Sequence, residues 1–148
     1  MSKVSKPVIA LVATAAMLLA VLTVEAQQLS QSSAPQGASV YISSPANGAV
    51  VPSTFNVEFG LAGMGVAPAG VERANTGHHH LLVDGVELPD LNAPLGDAVA
   101  HFGGGQTQTR LTLPPGEHTL QLILGDYLHQ PHSPPVVSEV VTITVVDN

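Results

Sequence analysis

The chain has 148 residues, 45% of them hydrophobic and only 10% charged, with 11 acids against four bases and a formal net charge of −7. That balance is globular rather than disordered, and the absence of cysteine excludes disulfides, thiolate zinc sites, iron–sulfur clusters, blue copper and cysteine nucleophiles together. Lys3, Lys6, Arg73 and Arg110 are the whole basic complement, too few for a phosphate-binding face, so no nucleic-acid partner is expected.

The N-terminus reads as an address. Lys3 and Lys6 precede an uncharged, Ala-, Val- and Leu-rich run from Pro7 to Val24, closed by Val24-Glu25-Ala26. This pattern predicts a signal peptide over residues 1–26 with cleavage near Ala26, hence a periplasmic or secreted protein; an uncleaved anchor is the alternative. The chain after Ala26 keeps two bases against ten acids, a net of −8, and is expected not to adhere to anionic membranes. Residues 27–38, rich in Gln, Ser and Ala, read as a flexible linker, and residues 39–148 as a single domain.

Beyond residue 38 no helical period is sustained, whereas short alternating runs bounded by Gly, Pro and Asn recur. Strands are predicted at about Ser39–Ser43, Ser53–Leu61, His78–Asp84, Gln106–Leu113, Glu117–Gly125 and Val137–Val146. Six or seven strands predict an all-β, immunoglobulin-like antiparallel sandwich with long Gly/Pro/His-rich loops. The turns Ser44-Pro45-Ala46-Asn47-Gly48 and Leu113-Pro114-Pro115-Gly116-Glu117 point to hairpin connections. Alternation selects a core of Phe55, Val57, Phe59, Leu81, Val83, Leu111, Leu113, Leu120, Leu122, Leu124, Val141, Ile143 and Val145. The stretches Gly60–Gly77 and Val86–Gly105 are too long for simple turns and are expected to carry function.

All seven histidines fall between His78 and His132. On a strand His78 and His80 project from one face, and His79 from the other with Leu81 and Val83. His79 and His118 share the core parity and are expected to be structural, hydrogen-bonded residues. His101 precedes Phe102 and the triple glycine Gly103–Gly105, while His129 and His132 lie on a loop stiffened by Pro131, Pro134 and Pro135. Five imidazoles, His78, His80, His101, His129 and His132, are therefore the candidate ligands for a copper or zinc ion, since a cysteine-free chain offers only nitrogen and oxygen donors. Asp84 and Asp126, with Asp97, are placed to orient the imidazoles or to add a carboxylate.

Other chemistry is poorly supported. Ser133 and Ser138 lack a G-x-S-x-G elbow, no Lys follows Gly105 as a phosphate loop requires, and the few aromatics give no sugar-binding platform. No catalytic residue is assigned.

The wording of Gly63–Gly70, Asn75–Gly85, His101–Thr107, Pro115–Leu122 and the loop His129–Ser138 resembles the bacterial exported family called domain of unknown function 4399, over about Val40–Val146. The resemblance implies a small exported domain and no assigned activity. A fainter likeness to copper–zinc superoxide dismutases, in the His-x-His on a strand and the later His-Phe, departs in spacing and in the missing disulfide, and implies no activity. The expected function is an exported binding module taking a metal ion or a small ligand, for sequestration or delivery. The alternatives are a structural or adhesion module and a metal-dependent enzyme, the latter needing an open coordination position and an acid or base such as Asp126 or Glu72.

Overall fold

The computed structural model describes residues 30–147. The expected signal peptide and residues 27–29 of the expected linker lie outside the described residues.

Alternating apolar residues make nine strands: β1 (Ser39–Ser44), β2 (Ala49–Pro52), β3 (Thr54–Ala62), β4 (Gly65–Val66), β5 (Thr76–Val83), β6 (Ala100–His101), β7 (Gln108–Thr112), β8 (Gly116–Gly125) and β9 (Val141–Val146). They form two sheets, β1-β3-β7 and β2-β9-β8-β5-β4, with β6 also paired to β5. The chain thus distributes its strands as an immunoglobulin-like sandwich does, the first, second and fourth of its six longer strands (β1, β3 and β7) in one sheet and the others facing them.

Three differences from the sequence expectation concern short elements and links. β2 intervenes between the first two expected strands and runs parallel to β9, and β4 runs parallel to β5, so the pairing is not wholly antiparallel. The Pro-Pro-Gly turn after β7 crosses between the sheets rather than closing a hairpin, because β7 pairs with β3 and β8 pairs with β5 and β9. The last strand begins at Val141, since Ser138 is taken up bonding the Leu122 amide through its hydroxyl.

The inward faces bury Phe55, Val57, Phe59, Leu81, Leu120, Leu122, Leu124, Val141, Ile143 and Val145, as alternation predicts, whereas Val83, Leu111 and Leu113 are only partly buried at its margin. Val40 and Val136 join them. β5 departs from the half-exposed pattern: Gly77 to Leu82 are buried on both faces. Its outer side is covered by the loops after β5 and β8, where Leu82, Leu95, Val99 and Ile123 make a second small core. That cover turns an ordinary sheet surface into an enclosed site.

Residues 31–34 are not a free tether. Gln31 donates its side-chain amide to the carbonyls of Leu91 (2.6 Å) and Pro131 (3.0 Å), Ser32 donates its hydroxyl to Asp126 (2.8 Å), and Ser33 bridges Ser133. The polar side chains that suggest flexibility instead bond loop carbonyls and the Asp126 carboxylate.

Candidate metal centre

The site is built on β5. Strand alternation sends His78 and His80 to the outer face and His79 to the inner face, where its ring meets Phe59 at 5.1 Å. Pairing with β8 sets Gly125 opposite His78, and β6 sets His101 opposite His80. His129 arrives from the loop after β8. There Asp126 accepts hydrogen bonds from the amides of Leu128 (2.9 Å) and Gln130 (3.0 Å) on one carboxylate oxygen, and from Ser32 on the other. This turn holds His129 at φ 65°, a left-handed conformation that non-glycine residues adopt at a cost and that clusters at functional sites.

Four imidazoles converge. The ring centroids of His78, His80, His101 and His129 lie 4.5 to 5.9 Å apart in all six pairings. One nitrogen each from His78, His101 and His129 falls within 4.8 Å of the others, and the Nε2 atoms of His101 and His129 share a hydrogen bond of 2.9 Å. Zinc–nitrogen bonds of about 2.0–2.1 Å set ligand nitrogens roughly 3.3 Å apart in a tetrahedron, within small side-chain rotations of this arrangement.

The electrostatics suit a cation. Burial, then the neighbouring His129 and His101, lowers the pKa of His78 to about 4, against a smaller upward pull from Asp126. Burial, then His78, His101 and His129, lowers His80 to about 3. His101 is lowered too, by burial and by His129. At neutral pH these rings carry free lone pairs, the form that binds metal. Both nitrogens of His78 and of His80 are buried without a hydrogen-bond partner, an arrangement that costs roughly 1–3 kcal/mol per group unless something is bound there.

Two glycines make room. A Cβ on Gly125 would stand 2.5 Å from Cε1 of His80, and one on Gly103 would stand 2.3 Å from Cε1 of His101. Beside the rings a cavity of about 290 Å³ is lined by His80, His101, His129, Leu95, Gly96, Asp97 and Val99.

The remaining candidates lie elsewhere. His132 is not a fifth member of the cage: its ring nitrogens meet the carbonyls of Thr76 (3.1 Å) and Leu124 (3.4 Å). His118 sits between two acceptors, Asp84 at 2.7 Å and the Pro114 carbonyl at 2.8 Å. These bonds raise its pKa, Asp84 first, because only the doubly protonated ring donates to both. Asp84 also accepts from the Thr119 amide and is a turn residue remote from the cage in its contacts. His79 is fully buried with neither nitrogen hydrogen-bonded; burial lowers its pKa and the Gln106 backbone partly offsets that. Glu72 lines a different cavity, of about 300 Å³, with Arg73 and Tyr127. The close approach that the triple glycine Gly103–Gly105 suggests is made at Gly103, against His101, whereas Gly125 and the Leu95–Val99 cover are not anticipated; only the Asp126-x-x-His129 spacing, which suits an Asp-capped turn, hinted at how the loop is held.

Fold and site together define an immunoglobulin-like sandwich with a histidine cage on the outer face of its larger sheet. The chain belongs to the family described as Domain of unknown function (DUF4399), whose sequence model matches residues 57–146. No curated protein matches it. Among solved structures, the fibronectin(III)-like modules of Clostridium thermocellum CbhA align with a TM-score of 0.37 and 13% identity, over 73% of this chain and 96% of that one.

Proposed function

We propose that the protein is an exported module that binds one divalent copper or zinc ion through His78, His101 and His129, with His80 as the fourth imidazole of the cage, and that it sequesters or delivers that ion. The observation that carries this reading is the convergence of three mutually close nitrogens with buried, unpartnered nitrogens on His78 and His80. His78 is buried whereas His101 is exposed, so an ion enters and leaves from the His101 side while its inner ligand stays fixed on the strand. The N-terminal run of Pro7–Val24 supports export.

Calorimetric titration with Cu²⁺ and Zn²⁺ tests the reading. One ion should bind with a Kd well below about 10 μM, the level of scattered surface imidazoles. His101→Ala, at an exposed position, should keep the fold by circular dichroism and weaken binding about 100-fold, while His118→Gln should leave it unchanged. Binding no tighter than the surface level, or equal loss in both variants, would overturn it and favour a structural module with loop-ordering histidines.

A further inference from the structure

Three nitrogens converge from separate elements, and two of the residues that supply them, His101 and His129, also form a wall of the 290 Å³ cavity. That volume is far above the ~15 Å³ that a single water requires. His80 is outside that group of close nitrogens, although its ring lies 4.6 Å from that of His78. Its ring is seated against Gly125, its separation from His129 is the longest of the six at 5.9 Å, and it lines the cavity. The rest of the wall is Leu95, Gly96, Val99 and the exposed Asp97. Among the described residues no Lys or Arg lines it; Arg73 lines the other cavity and Arg110 sits on β7 in the opposite sheet.

We propose that an ion held by His78, His101 and His129 keeps one coordination position toward this cavity, and takes there a small neutral nitrogen donor bearing an N–H, an imidazole or a primary amine, in preference to an anion. The proposal rests on the metal reading of the same histidines and deepens it by naming what meets the ion. An N–H brought into the cavity has two groups to meet, a ring nitrogen of His80, which has no partner in the fold, and Asp97. An anion can take the N–H of His80 but has no hydrogen to give Asp97, meets its charge and, among the described residues, finds no Lys or Arg in the wall. The step is ligand exchange: one metal–nitrogen bond forms, any solvent ligand at that position leaves, a primary amine first gives its ammonium proton to solvent, and no electron changes hands. A partner that collects the ion would then do so through a histidine side chain or a free amine.

The test uses the Cu²⁺-loaded full chain, titrated separately with imidazole and with azide and followed by visible absorption and electron paramagnetic resonance, with bound copper checked by gel filtration. Imidazole should give a saturable change at one per copper, at lower concentration than azide. Asp97→Asn should improve azide binding roughly two- to fivefold, the range of an exposed charge interaction, without improving imidazole binding. Copper that stays bound and responds to neither probe means that the cage is closed, which overturns this inference and leaves the metal site standing. Azide binding more tightly than imidazole overturns the donor class, and failure to bind copper overturns both readings.

Discussion

Gly125 and Gly103 each leave space that a histidine ring fills, yet their substitutions should behave differently. At Gly125 the new methyl would lie 2.5 Å from Cε1 and 3.0 Å from Nδ1 of His80, which is fully buried and cannot retreat. Gly125→Ala should therefore lower stability in urea unfolding by about 1–3 kcal/mol, the usual range for overpacking. At Gly103 the clash is with His101, which is exposed and free to turn away. Gly103→Ala should leave stability within about 0.5 kcal/mol of the parent while weakening metal binding about tenfold by calorimetry. Equal effects at the two sites would mean that the glycines do not shape the cage. The histidines were legible because strand parity places His78 and His80 on one face without any tertiary knowledge. Gly125 was not, since a space constraint exists only once the neighbour is in place. His132 was grouped with His129 by loop spacing alone, but the left-handed residue at His129 turns the chain between them, and His132 ends against Thr76 and Leu124.

Among the elements, long alternating strands were readable and short ones were not. β3, β5 and β8 carry eight to ten residues each, enough for a period to declare itself, whereas β4 and β6 carry two and are defined only by pairing with β5. The segment Gln31–Ala34 shows the opposite error, a polar composition read as freedom. It straps the loop bearing His129 to the loop bearing Leu95: Gln31 reaches both through Leu91 and Pro131, Ser32 holds Asp126, and the Ala34 and Ser133 amides exchange bonds with Ser133 and Ser32. The doubly substituted Gln31→Ala, Ser32→Ala should weaken metal binding about three- to tenfold, as changes behind a ligand do, while the far-side pair Asp84–His118 is unaffected in its pH response. Unchanged affinity would reduce the strap to a terminal decoration.

For the molecule as a whole, two sets of histidines set opposite limbs of its pH dependence without metal. His118 has a raised pKa in the fold, so its contribution is complete below the unfolded value of about 6.5 and is lost as pH rises through the folded value. His78 and His80 are depressed to about 4 and about 3, so stability is lost as pH falls from about 6.5 toward those values, where the unfolded chain takes up protons that the cage refuses. Thermal unfolding should show a maximum near pH 6.5 among these histidine contributions. Asp84→Asn should flatten the alkaline limb and leave the acid limb intact; a steeper alkaline limb would refute the assignment. The sandwich itself was the most legible level of all, because parity and turn residues repeat along the whole domain. The crossing of the Pro-Pro-Gly link between sheets was not, since a turn sequence reports a reversal and not which sheet receives the next strand.

The three close nitrogens come from β5, β6 and the loop after β8, and no two of them are near in sequence. An unfolded chain keeps only the triplet His78–His80 together. The cage is therefore a product of the fold, and on the proposed reading loading follows export and folding, so that the metal taken up is the one abundant at the destination.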